Sequence, residues 1–235
     1  MGKVITIKNN KGGVGKSWLT LQLAHLLSII NRKVLIITSD SQNNVMLYSG
    51  VDVEYSEGLE KWLDKGDGDL IALRENVYYI PLINNHFKRG FDKKLNVLID
   101  KLKQEYDYIL IDSVPVLNID KCFLELADYI IIPTILDTAS CKGILNLSTE
   151  IDFKKVKAII PNKFTKTKSE KFWKDILNDY LQNNLIYFPE PIPQMAFLSE
   201  LTHQGKTIFE STSKKIEGIQ NTISEVARVI INEES

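Results

Sequence analysis

The chain has only two cysteines, Cys122 and Cys141, in 235 residues. They lie in separate apolar helical stretches without metal-ligand spacing. The sequence therefore predicts two small buried thiols of a reducing compartment, with no disulfide framework and no cysteine-held metal. Long hydrophobic runs are missing too. No segment approaches the length of a membrane helix, and Met1 leads straight into an apolar strand with no secretory leader. Met1 to Thr6 formally fits a myristoylation string, but Gly2 is expected to abut that strand. Charge of one sign is also absent. Lys and Arg number 29 against 30 Asp and Glu, a net charge of −1. That excludes a generally basic coat, so any nucleic-acid contact must be a local patch. There is no internal repeat, low-complexity tract or linker. With 44% hydrophobic residues, residues 1–235 read as one domain with a sizeable core.

Short continuous apolar runs are plentiful: Val4–Ile7, Val34–Ile37, Val77–Ile80, Tyr108–Ile111, Tyr129–Ile132 and Val156–Ile160. Runs without polar alternation suit parallel strands buried on both faces. Helical patterns lie between them. The predicted fold class is α/β, a doubly wound and mostly parallel sheet with helices on both faces.

The most informative segment is Lys11-Gly12-Gly13-Val14-Gly15-Lys16-Ser17. It follows the first strand and opens an amphipathic stretch, Leu19 to Ile30. Strand, glycine-rich loop and helix in that order make a phosphate-binding loop. The glycines let backbone N–H groups curl round phosphates, and the helix points its positive end there. The N–H of Trp18 can join them, although its ring must find room. Lys16 can reach the β- and γ-phosphates, and Ser17 is placed to hold Mg²⁺. Position 10, where the usual pattern has glycine, is Asn10, a residue that tolerates left-handed backbone. Lys11 is redundant for one triphosphate, which makes it a candidate to act on a nucleotide held by another subunit.

These residues resemble the deviant Walker A box of the ParA/MinD family of ATPases. The resemblance implies that Lys11 is the signature lysine, crossing an ATP-sandwiched homodimer to the partner's phosphates. Val34 to Asn44 is similar to the family's V-L-x-x-D-x-D-P-Q-G-N segment. Asp40 then matches the acid that positions the attacking water and the Mg²⁺ shell. Thr38 replaces an aspartate, Ser41 a proline and Asn43 a glycine, and loss of the proline is expected to loosen this loop. Tyr106 to Pro115 resembles a Walker B strand whose Asp112 holds the Mg²⁺ shell, with Ser113 and Val114 departing from the usual Thr and Pro. Ile192-Pro193, Leu198-Ser199-Glu200 and Gly205-Lys206 resemble a segment of chromosome and plasmid partition ATPases. Pro161-Asn162 resembles the family's base-recognition corner, where Asn162 reads adenine. The cysteine usage does not fit the family's iron–sulfur reductase branch. The helix-turn-helix extension of longer partition ATPases is not expected.

Lys163 to Lys174 carries Lys163, Lys166, Lys168, Lys171 and Lys174 against Glu170 alone. Phe164, Phe172 and Trp173 are interleaved. The run fits either a contact to DNA phosphates or a solvated helix face with its aromatics in the core. Lys206, Lys214 and Lys215 form a second candidate patch. A last helix is predicted from about Ser213 to Ile231, with an apolar stripe at Ile216, Ile219, Ile223, Val226 and Ile230. It lacks large aromatics and ends in Asn232-Glu233-Glu234-Ser235, so packing on the sheet is favoured over membrane binding.

The expectation is a cytoplasmic, nucleoid-associated partition ATPase using ATP and Mg²⁺. Its ATP dimer would bind DNA without sequence preference, and a ParB-type partner would stimulate slow hydrolysis. The alternatives are a MinD-like membrane-cycling ATPase, a metabolic ATP-dependent ligase or kinase, and a scaffold that binds ATP only to dimerise.

Overall fold

A computed structural model of the chain describes residues 1–84, 90–113, 117–146 and 151–232. Each predicted apolar run is a strand. β1 is Lys3–Ile7, β2 Val34–Thr38, β4 Val77–Ile80, β5 Tyr108–Asp112, β6 Tyr129–Thr134 and β7 Val156–Pro161. β3, Ile71–Arg74, is an added edge strand and the one antiparallel neighbour, pairing β4. Ile71 and Leu73 point inward and Ala72 outward, so a search for continuous runs passes over it. The sheet order is β3-β4-β2-β5-β1-β6-β7. β2, β5 and β1 lie side by side, with Thr38 opposite Asp112 and Ile7 opposite Asp112 in the two parallel ladders. The doubly wound α/β class is as predicted.

Helices cover both faces. α1, Lys16–Ile29, follows β1, and α2, Asn44–Ser49, follows β2. α3 is Leu59–Lys65, α4 Phe91–Leu102, α5 Leu117–Leu126 and α6 Thr138–Leu145. α7 is Lys168–Gln182, α8 Ala196–His203 and α9 Glu217–Asn232. α1 is less amphipathic than expected: Leu19, Thr20, Leu21, Gln22, Leu23 and Ala24 are all buried in sequence. It packs against the sheet on one side and against α2 and α9 on others, which leaves Ile29, at its end, as its exposed residue.

The stripe on the last helix is core. Ile216 is buried in a 3₁₀ turn ahead of α9, and Ile219, Ile223, Val226 and Ile230 are buried along it. α9 lies on α1 and β7, which leaves this stripe nothing to offer a membrane. Residues 233–235, with the acidic end, lie outside the described residues. No helix among the described residues is long and apolar enough to cross a membrane. Gly2 is buried, with its N–H donating to the Lys103 carbonyl at 2.8 Å. Both cysteines are free, as expected, but Cys122 is only half-buried; Cys141 is fully buried. Cys122 sits at the edge of the α5 face, packed on the core formed by Phe91, Leu95 and Phe123.

Two close contacts fix the far side of the α2 and α8 region. Gly50 and Gly205 both have left-handed backbone, at φ 71° and 68°. A Cβ on Gly205 would stand 2.5 Å from the Gly50 Cα. Arg74 on β3 closes the same corner, donating to Ser49 O at 3.0 Å, Gly205 O at 2.6 Å and both Glu210 oxygens at 3.0 Å. Glycine at 205 in the motif around Leu198 thus has a packing reason.

Replacing Ile223 by Ala is expected to destabilise the protein by about 2–5 kcal/mol, as for a buried aliphatic that leaves a cavity. Urea unfolding measures it. A loss under about 0.5 kcal/mol, the size of a surface change, would show that the stripe is not core.

Candidate functional site

The site begins where the central strands run out. The P-loop leaves β1 and turns on Gly13 and Gly15, both left-handed at φ 73° and 100°. Asn10 is not left-handed; its side chain instead accepts from the Lys8 ammonium at 3.0 Å. Glycines at 13 and 15 make the turn, so position 10 has no need of one. Lys16 opens α1 and is buried, with its ammonium donating to the Lys11 carbonyl at 3.2 Å. Ser17 sits in the first turn, where the helix's free N–H groups and positive end converge.

A cavity of about 750 Å³ opens over this turn. It is lined by Gly12, Gly13, Gly15, Lys16, Ser17 and Trp18 from the P-loop side, and by Asp40 and Asn44 from the loop after β2. Asn162, Lys163, Pro193, Met195 and Leu198 close the other wall. Val14 is fully buried behind the loop. Trp18 finds room by packing half-buried against the main core while lining the cavity beside Tyr48 and Leu198. Volume and lining suit a nucleotide with its phosphates at the helix N-terminus.

Asp40 is half-buried at the cavity edge. One carboxylate oxygen accepts from the Gln42 N–H at 3.0 Å and the other from the Asn44 amide at 2.9 Å. Its own N–H donates to the Thr38 hydroxyl at 2.9 Å. Where the proline was expected to stiffen the loop, buried Asn43 ties it to Tyr79 of β4 and to Leu82 beyond the strand.

Asp112, at the end of β5, is 1% exposed, and neither carboxylate oxygen has a hydrogen-bond partner among the described residues. Burial pushes its pKa up to about 7. The Ser17 hydroxyl and the Lys16 ammonium pull it down and Asp40 adds to the rise. Two buried carboxylate oxygens beside a serine hydroxyl are hard donors of the kind Mg²⁺ takes. Among the described residues no cluster of three His, Cys, Asp or Glu could hold a metal by itself. The donor set therefore fits an ion that shares its shell with phosphate and water, as Mg²⁺ does. Val114 and Pro115 lie outside the described residues.

The structure separates residues that the motif places together. Lys11 is exposed and forms an ion pair with Asp137, the N-cap of α6. It lines a different cleft of about 370 Å³, with Lys8, Asn9, Asn10 and α6. Burial raises the Asp137 pKa, but the Lys11 ion pair and the Ser140 N–H outweigh it, leaving the carboxyl below its usual range. Lys163 lines the cavity over the P-loop, in left-handed backbone at φ 56°. The Asn162 amide donates to Val14 O at 2.9 Å and its oxygen accepts from the Lys163 N–H at 2.9 Å. Asn162 therefore braces the P-loop as well as facing the cavity. Lys166, Lys168 and Lys171 are exposed, whereas Lys174 is paired with Glu190 at 2.8 Å. Phe164 and Trp173 pack on the core and Phe172 is 59% exposed. Lys206, Lys214 and Lys215 are exposed, Lys215 over the Phe197 ring. Sequence reasoning quoted Asn44 only as the last residue of the Val34 to Asn44 segment and missed Met195 and Asp137, which carry no motif signal of their own.

A carboxyl raised from 3.8 to about 7 binds more protons folded than unfolded between those values, so it lowers stability as pH rises through that window. Asp112→Asn is expected to remove this contribution. Urea unfolding of nucleotide-free protein from pH 4 to 8 should then show a shallower decline in the variant. Parallel curves would refute the shift.

A sequence model described as an AAA domain matches residues 2–165. The sporulation initiation inhibitor protein Soj of Bacillus subtilis is 30% identical over 163 residues, covering 63% of this chain and 64% of Soj. The match thus spans under two thirds of the relative's own length. A plasmid partition protein of Borrelia burgdorferi bound to AMPPNP superposes with a TM-score of 0.79 at 23% identity, over 96% of this chain and 98% of that one. The MinD cell division protein of Aquifex aeolicus superposes with a TM-score of 0.76 at 21% identity, over 98% and 97%. The family model spans most of the chain, and the chain belongs to the AAA domain family, with a P-loop and fold of the ParA/MinD type.

Proposed function

We propose that this chain is a partition ATPase that binds Mg²⁺–ATP, hydrolyses it slowly, and binds DNA without sequence preference as an ATP dimer. The observation that carries the reading is the convergence of Lys16, Ser17 and Asp40 on one cavity, with Asp112 buried behind them. Lys16 faces the β- and γ-phosphates, and the N–H groups of Gly13 to Trp18 cradle the chain. Ser17 and Asp112 would hold Mg²⁺, which supplies neutralisation of phosphate charge. Asp40 orients the attacking water toward the γ-phosphate. The remaining work is positioning and electrostatics.

Lys11 points out of its own cavity, which supports a role across a dimer interface. The stripe of the last helix is used up in the core, which favours DNA over a membrane as the surface the ATP state recognises. A ParB-type partner stimulating turnover, and a cytoplasmic, nucleoid-associated location, belong to the same reading, which the likeness to a chromosome partitioning protein ParA supports. Exposed Lys166, Lys168 and Lys171 are the first candidates for phosphate contact and Lys206, Lys214 and Lys215 the second. Dimerisation places two copies of one patch on a rigid body and raises avidity without a new base contact.

Lys11→Ala is expected to leave nucleotide binding by the monomer intact and to abolish ATP-dependent dimerisation. Light scattering that still shows a dimer with ATP removes the role across the interface.

DNA affinity is expected to require ATP and to fall with salt at a log–log slope of about −0.9 per phosphate contact. Replacing Lys166, Lys168 and Lys171 together by Ala should shrink that slope in filter binding. Unchanged DNA affinity would move the contact to the second patch. Turnover stimulated by lipid vesicles and not by plasmid DNA would overturn the partition reading.

A further inference from the structure

We propose that Asn43 is a positioning residue that holds Asp40 in place for hydrolysis. This rests on the ATPase reading above. Asn43 has left-handed backbone, φ 49° and ψ 41°, a conformation that Gly supplies most readily and Asn next. A glycine here would leave the loop attached by backbone alone. Asn43 is 3% exposed, and its amide is used at every valence. The amide nitrogen donates to Leu82 O at 2.8 Å, the Tyr55 hydroxyl at 3.0 Å and Ser41 O at 3.1 Å. Two N–H bonds serve these three acceptors, so one is shared. The amide oxygen accepts from the Tyr79 hydroxyl at 2.7 Å and the Leu82 N–H at 3.0 Å. Burial keeps Tyr79 protonated, its pKa raised well above the ordinary phenol value, so this donor is always present.

The clamp acts on Asp40 through its neighbours. The Asn43 N–H donates to the Asp40 carbonyl at 3.0 Å. The residues on either side, Gln42 and Asn44, donate the two bonds that orient the Asp40 carboxylate. The Asn43 carbonyl accepts from the Leu47 N–H at 3.1 Å and so starts α2. One buried amide thus ties the loop, Tyr55, β4 and α2 to a single geometry. The loop holds its acid oriented before any nucleotide is bound.

The test is Asn43→Gly, which keeps the backbone conformation and deletes the amide. Affinity for a non-hydrolysable ATP analogue is expected to stay within about twofold while kcat falls about tenfold to a hundredfold, as for a misplaced catalytic group. Hydrogen exchange at Gln42 and Asn44 should rise, with β1 and β5 unchanged. Tyr79→Phe, which removes one donor and keeps the ring, should give the same pattern at smaller amplitude. Should Asn43→Gly fail to fold, Tyr79→Phe alone decides. Wild-type kcat in the folded variants, or equal losses in affinity and kcat, overturns the proposal and leaves the ATPase reading standing. A wild-type protein that binds no nucleotide or turns over no ATP overturns both.

Discussion

Two parallel ladders, β2 to β5 and β5 to β1, place everything else at the site. Thr38 and Ile7 both register with Asp112. The loops that follow β1 and β2 therefore emerge at the height of the Asp112 carboxylate. Parallel strands end on the same edge of a sheet, which is why ligands of this fold gather there. The buried runs that make the strands thus also aim Lys16, Asp40 and Asp112. A one-residue slip of β5 would turn Asp112 to the opposite face of the sheet.

That arrangement puts charge where the fold would otherwise exclude it. Asp112 and Lys16 are both buried where the central strands end, and burying charge is costly. The raised pKa of Asp112 records the conflict. A cation shared with phosphates would relieve it, because it replaces the lost water with opposite charge.

Polar side chains from distant parts of the chain then hold the cavity walls. Asn162 braces the P-loop through Val14, Asn43 braces the Asp40 loop through Leu82, and Arg74 ties the ends of α2 and α8 together. Each satisfies backbone carbonyls or amides that the turns leave free, and buried backbone groups must find such partners. The result is a site whose loops are fixed against the sheet by side chains spaced up to 148 residues apart in sequence.

The sequence by itself determined the strands, their parallel class and the order in which the motif residues arrive. Those follow from continuous apolar runs and glycine spacing, which are local properties. It also placed Lys16, Ser17, Asp40 and Asp112 in one motif set. The sequence did not show that six successive residues of α1 are buried, that β3 alternates on an antiparallel edge, or that Lys163 lines the cavity over the P-loop. Nor did it show that Lys11 turns away to Asp137, or that Asn43 holds the loop that the lost proline was expected to loosen. These depend on which surfaces meet across the fold. A side chain's partner 36 or 126 residues away leaves no trace in local pattern, and burial and long-range hydrogen bonds are set only when the elements pack.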